Sequence, residues 1–424
     1  MTYEETLSHI YGRGRFGIKP GLERISALLH ELGNPQEQVT TLQVAGTNGK
    51  GSTCAFLSAI LAAAGLKVGL FTSPHLTRFT ERIRVNGQEA AEDEVVRLAG
   101  RVLATASAEA TFFEIVTALA LTHFAEQRVD LAVMEVGMGG RFDATSAAPG
   151  VLSVITPISL DHCEYLGADV AAIAREKAGI IRTGRPVVTA PQPAPALAMI
   201  DSRCRELGAP LYLCGKDFAA TWGDNGLNYR GMGATLTALH PGIGGRYQSV
   251  NAACALAAAE LLDRSGIGVP YGALAQGIAE ATWPGRMELM GSEPRILLDG
   301  AHNPASAQAL AEALGEVPHR RLILVLGVMG DKDLTGIVGP LLPRASRVVA
   351  VSPALDRALP ADTLAAFCRS LGAECCVGGT VAAGLALARA AAGARDLVLV
   401  TGSLFTVGEA RAHLLGNRFE PFRG

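Results

Sequence analysis

The segment Gly46-Thr47-Asn48-Gly49-Lys50-Gly51-Ser52 constrains this chain more than any other. It sits between a short apolar run, Leu42 to Ala45, and an apolar run of helical character, Thr53 to Ala64, so it marks a strand-to-helix turn. Three glycines let backbone N–H groups converge on an anion. The start of the helix adds partial positive charge, and Lys50 adds a full one. Ser52 brings a hydroxyl able to ligate magnesium. The pattern departs from the common phosphate loop, G-x-x-x-x-G-K-[ST], because Gly51 separates Lys50 from the hydroxyl residue. The competing reading is a glycine-rich turn without a ligand.

Downstream, strand-like and helix-like runs alternate. Strands are expected at Lys67–Phe71, Asp130–Val136, Val151–Ile155 and Pro186–Ala190, with helices over Glu92–Ala106 and from Thr111 to about Glu126. Asn86-Gly87 marks a tight turn. This order predicts an α/β fold with a parallel sheet and crossover helices. Gly46, Ser73, Glu135 and His162 each follow or end one of these strands, and in open parallel sheets ligands bind beyond the carboxyl ends of strands. The four segments are therefore expected to converge. Glu135 at a strand end suits a magnesium ion, and His162 beside another strand end pairs with it as a candidate ligand. Read singly, they are a surface acid and a loop histidine.

Residues 176 to 251 hold glycine-rich pieces that read as β-strands and turns, followed by an alanine-rich helix opened by Tyr247-Gln-Ser-Val-Asn251. Thr282-Trp-Pro-Gly-Arg286 breaks the pattern as a hinge, and α/β alternation restarts near Arg295, with strands at Ile296–Leu298, Leu322–Leu326, Val348–Val351, Glu374–Val377 and Leu397–Val400. At 424 residues two domains are expected: a phosphate-loop, parallel-sheet domain over 1–285 and a smaller Rossmann-like α/β domain over 286–424.

Further segments carry a family resemblance. Ser73-Pro-His-Leu76 with Glu81-Arg-Ile-Arg84, Glu135 to Thr145, Asp161-His162 with Arg175-Glu-Lys177-Ala-Gly-Ile180, and Asp299-Gly-Ala-His302-Asn-Pro304 occur in that order, as do Gly327 to Asp333 and Thr401-Gly-Ser403. Together with the phosphate loop the whole chain resembles the folylpolyglutamate and dihydrofolate synthases, a branch of the Mur ligase superfamily. The resemblance implies ATP- and Mg2+-dependent amide formation. Phosphorylation makes the carboxylate an acyl phosphate, which the amine of L-glutamate attacks. Asn48, Gly49, Lys50, Gly51 and Ser52 would hold the nucleotide phosphates, and Asn251, Arg286 and Asp299 the rest of ATP. Ser52, Ser73, Glu135 and His162 would hold the metal, with Lys177 as a carbamate. Lys50, Lys177 and His302 would act in catalysis, Phe113 and Asp143 would hold the pterin, and Ser403 would meet glutamate. Phe113 alone reads as core, and Lys177 alone as a surface helical lysine.

The chain departs from the family pattern at Ser146, where asparagine is frequent, and at Lys19, where many dihydropteroate users carry an acid. The resemblance, with Phe113 and Asp143 at the pterin positions, implies glutamate addition both to dihydropteroate and to the γ-carboxylate of reduced folates, while Lys19 pulls toward folylpolyglutamate synthesis alone. A cell-wall Mur ligase and a phosphate-loop phosphotransferase or switch are the competing functions. With Lys+Arg 37 against Asp+Glu 40, neither nucleic acid nor an anionic membrane is an expected partner. The polar start, the absence of a long apolar run and eight cysteines without metal-site spacing point to a soluble, cytoplasmic protein with reduced thiols, and a monomer is expected.

Overall fold

The computed structural model describes residues 1–13 and 20–421, so Lys19 lies outside the described residues. The first sheet is formed by β1 (Thr41–Ala45), β2 (Val68–Phe71), β3 (Ile83–Val85), β4 (Gln88–Glu89), β5 (Leu131–Glu135), β6 (Ser153–Ile155), β7 (Val187–Thr189) and β8 (Leu211–Leu213). Its order is β4-β3-β2-β5-β1-β6-β7-β8, parallel from β2 to β8, with β3 and β4 as an antiparallel edge hairpin. Asn86 and Gly87 both take positive φ in that hairpin turn, as the Asn-Gly pair predicts. A three-stranded antiparallel sheet follows, made of β9 (Ala219–Gly223), β10 (Gly226–Arg230) and β11 (Thr235–Leu239).

The second large sheet contains β12 (Glu288–Met290), β13 (Arg295–Leu298), β14 (Leu322–Leu326), β15 (Arg347–Ser352), β16 (Cys375–Thr380) and β17 (Leu397–Thr401). Its order is β12-β13-β17-β14-β15-β16. All five expected strands are present; β12 adds an antiparallel edge that the sequence pattern does not announce.

The strands β1, β2, β5 and β6 are contiguous in the first sheet, and their carboxyl ends lead into Gly46, Ser73, Val136 and Asp161-His162. That adjacency produces the convergence expected from sequence. Helix Lys50–Ala63 fills the space between this sheet and helix Gln248–Arg264, whose Ala252–Ala259 run is entirely solvent-free. Small alanines let the two helices approach closely, which brings the start of the second helix against the phosphate loop.

The C-terminal segment returns to the first domain. Glu420 N–H donates to Thr77 O (2.9 Å), His75 Nε2–H donates to Glu420 O (2.8 Å), and the Glu420 carboxylate accepts from Phe79 N–H (2.8 Å) and Tyr3 OH (3.2 Å). Burial, reinforced by Arg82, depresses His75 to about 3, so its imidazole is neutral, with Nδ1 accepting from Arg82 Nε–H. The loop that carries Ser73 is thus fastened from beyond the second domain. Among the described residues no helix is long and apolar enough to cross a membrane.

Candidate active site

Helix Lys50–Ala63 begins directly on the glycine loop, with Gly49 as its N-cap at φ 85. A Cβ at Gly49 would run into the Asn251 amide, and one at Gly51 would meet the Trp283 indole. The glycine that distinguishes this loop from the common pattern is therefore required by the hinge residue packed on it. Lys50 Nζ rests 3.3 Å from Thr47 O, and the loop is braced by Thr47 and Ser159, whose polar groups bond reciprocally at 3.1 Å.

Glu135 is buried, and its Oε2 accepts from Ser73 N–H at 3.1 Å. Burial pushes its carboxyl up, with Lys50, the Ser73 amide and Arg286 pulling the other way. A desolvated carboxylate bonded to the Ser73 amide suits a hard cation with oxygen ligands. Lys177 ends helix Val170–Lys177, is buried, and donates to Gly46 O at 2.7 Å. Desolvation and the nearby Lys50 charge lower its pKa to about 7. It is an amine of lowered basicity under the phosphate loop, and its burial sets the surface-lysine reading aside.

His162 takes φ 52, and its side chain stays 47% exposed, 3.9 Å from its neighbour Asp161. Partial desolvation lowers its pKa, and Lys332, Lys50 and Lys177 act in the same direction against Asp161. Among the described residues no group of three or more His, Cys, Asp and Glu side chains forms a metal cluster. The sequence candidates contribute only Glu135 and His162 to such a count, and the other donors are hydroxyls and an amine.

From the second domain, Asp299 is buried and accepts from Tyr247 OH, Met287 N–H and Ala301 N–H, each at 3.0 Å. Burial raises its pKa against Arg286. Arg286 Nη1 lies 3.0 Å from Gly285 O, at the hinge. His302 has Nδ1 2.8 Å from Gly300 O, which requires the proton on Nδ1 and leaves Nε2 as an acceptor. Burial lowers its pKa to about 4. Asn303 caps helix Pro304–Ala313 and exchanges amide hydrogen bonds with Asn48 of the phosphate loop (2.8 and 3.4 Å). Lys332 reaches Asp161 at 3.0 Å. Against the upward push of burial, His162, Lys332 and His302 hold the Asp161 carboxyl down at about 2. A cleft lined by Gly51, Ser73, Glu135, Arg84, Trp283 and Arg286 separates the two halves.

Phe113 is half-buried, 5.8 Å from the Phe71 ring and packed over Gly137. Asp143 is buried and accepts from Met138 N–H (3.0 Å), Thr145 N–H (3.0 Å) and Thr145 Oγ1 (2.6 Å), so its carboxylate shapes the 137–145 loop. Ser146, at one point of departure from the family, donates to Gly140 O at 2.6 Å and serves the same loop. The Ser403 hydroxyl is buried as a helix cap, accepting from Thr406 N–H at 3.0 Å. Sequence reasoning misses Tyr247, Gln248, Trp283 and Asn303, all of which touch the candidate set. Their only signal is proximity in sequence to the family motifs.

The Mur ligase middle domain family matches residues 44–259, and the Mur ligase, glutamate ligase domain family matches residues 285–404. A Bacillus subtilis protein named dihydrofolate synthase/folylpolyglutamate synthase is 34% identical over 97% of this chain and 99% of its own length. A Halobacterium salinarum protein named probable bifunctional folylpolyglutamate synthase/dihydropteroate synthase is 40% identical over 97% of this chain, which spans only 51% of that relative. The solved structure of E. coli FolC in complex with DHPP and ADP superposes with a TM-score of 0.90 at 35% identity, covering 98% of both chains. With both domains matched and the fold shared along its whole length, the chain belongs to the dihydrofolate synthase/folylpolyglutamate synthase family of Mur ligases.

Proposed function

We propose that this chain is an ATP-dependent carbon–nitrogen ligase that joins L-glutamate to dihydropteroate and to the γ-carboxylate of reduced folates. The observation that carries the reading is the phosphate loop held between Lys177, which donates to Gly46 O, and Asn303 of the second domain, which donates to Asn48, beside a cleft lined by Gly51, Glu135 and Arg286. A glutamate ligase domain and an ADP-bound relative agree with it.

In the first step a substrate carboxylate oxygen attacks the γ-phosphorus and ADP leaves. In the second the glutamate nitrogen attacks the acyl carbon, phosphate leaves and the nitrogen loses a proton. Loop N–H groups of residues 48–52 and Lys50 bind the phosphates and offset charge on the transferring group. Arg286 and Asn251 orient the nucleotide, while Asp299, through Tyr247 and the Met287 and Ala301 amides, fixes the backbone around it. His302 Nε2, left as an acceptor by the Gly300 contact, would accept a hydrogen bond from the glutamate nitrogen and orient it for attack. Mg2+, which Ser52, Ser73, Glu135, His162 and carbamylated Lys177 would hold, supplies charge neutralisation on the phosphates. Phe113 stacks the pterin, Asp143 sets the adjoining loop, and Ser403 orders the loop that meets glutamate. Closure of the cleft excludes water from the acyl phosphate.

We divide the domains at 285/286, where Trp283-Pro-Gly285 meets the second sheet, and place the protein in the cytoplasm as a monomer. The test offers ATP, Mg2+ and glutamate with dihydropteroate in one tube and tetrahydrofolate in another, and weighs the products. Both substrates are expected to gain one glutamyl unit. A gain on tetrahydrofolate alone would leave a folylpolyglutamate synthase, the outcome that Lys19 favours.

A further inference from the structure

Gln248, the first residue of helix Gln248–Arg264, has no solvent exposure and faces the phosphate loop. Its Nε2 donates to Ser52 Oγ at 3.3 Å, and its Oε1 accepts from Asn251 Nδ2 at 2.6 Å. Asn251 is in turn the side chain on which Gly49 closes. Gln248 therefore joins the two ends of the loop, Gly49 through Asn251 and Ser52 directly. Its neighbour Tyr247 bonds Asp299 in the second domain.

The amide has a direction. With Oε1 committed to the Asn251 N–H, Gln248 can present only N–H to Ser52, so Ser52 cannot donate to it. One Ser52 lone pair is occupied, the other is left for a cation, and the hydroxyl proton must be given to an acceptor other than Gln248. A hydroxyl arranged this way suits a metal on the lone pair and a phosphate oxygen on the proton. If Ser52 instead donated to its neighbour, its oxygen would be available but its proton would not. A buried amide holding a single hydroxyl in this manner is worth more than its own hydrogen bond, because the alternative rotamers of Ser52 are removed before the ligand arrives.

We infer that Gln248 is a positioning residue that fixes the polarity of the Ser52 hydroxyl and thereby tunes metal-dependent nucleotide binding. This rests on the reading of residues 46–52 as a phosphate loop with Ser52 as a metal ligand. The readout is ADP affinity by calorimetry with Mg2+ and with EDTA, which does not depend on turnover. Gln248→Met keeps length and volume but removes both hydrogen bonds. It is expected to weaken ADP about tenfold in Mg2+ and less than about twofold in EDTA, on the scale of one buried hydrogen bond. Ser52→Ala should show the same selective loss, and adding Gln248→Met to Ser52→Ala should cost much less than Gln248→Met costs alone, the small remainder passing through Asn251.

Equal weakening with and without Mg2+, or additive losses in the double variant, would overturn the inference while leaving the loop reading intact. No selective loss in Ser52→Ala would overturn both. Should Gln248→Met fail to fold, Gln248→Asn keeps a neutral amide but shortens its reach, withdrawing the donor from Ser52. It must show the same Mg2+-selective loss, and unchanged Mg2+-dependent binding would overturn the inference.

Discussion

Lys50→Ala is expected to lower ligase turnover by roughly a thousandfold while leaving the thermal unfolding temperature within a few degrees of the parent. The lysine sits on the first turn of helix Lys50–Ala63, half-buried, with its ammonium against Thr47 O and no packed apolar role. Deleting it removes a positive charge from the place where phosphate charge builds up, and the effect should fall on turnover more than on folding. Steady-state kinetics beside a thermal melt separates the two. Turnover near the parent's in a folded variant would remove the phosphate-loop assignment.

Lys177→Ala is the second large effect, expected at about a hundredfold in turnover. Ordinary buried lysines are destabilising charges, but here the amine has one carbonyl partner at 2.7 Å and a pKa of about 7, with Lys50 repelling its protonated form. Such an amine can add CO2: the nitrogen forms a bond to carbon and releases a proton, and the product is an anion that attracts what the lysine repelled. Lys177→Ala should therefore regain part of its activity in short carboxylates such as formate or acetate, which place an oxygen anion in the vacated space. Lys177→Arg keeps the positive charge and should remain inactive under the same conditions. Full activity in the arginine variant would show that only a cation is needed there.

Much of the fold was legible because its determinants are local. The apolar runs of β1, β2, β5, β6, β14 and β17 are continuous, as strands buried on both faces must be, and their ends carry the motifs. Helices Ala194–Glu206 and Tyr271–Glu280 were hidden, the first by Pro191, Pro193 and Pro195 at its start and the second by Gly272 and Gly277 within it. The three-residue β12 is too short to show a period.

At the site, Ser73 and Glu135 stand at strand ends that the sequence pattern locates, whereas Lys177 was singled out only by the family resemblance. What sequence could not show is which polar atoms are already engaged. Asp143 and Ser403 occupy family positions, yet their oxygens hold a loop and a helix cap. Conversely, Gln248 and Asn303 acquire their significance only when helix Gln248–Arg264 and the second domain close on the phosphate loop.

In the proposed mechanism ATP activates a carboxylate as an acyl phosphate in this cleft. The direct measurement labels the folate γ-carboxylate with oxygen-18, runs the reaction with ATP, Mg2+ and glutamate, and weighs the inorganic phosphate released. One oxygen-18 atom is expected in each phosphate, with one ADP formed per amide bond. Phosphate free of label, or ADP release that proceeds without the folate and glutamate, would contradict that mechanism.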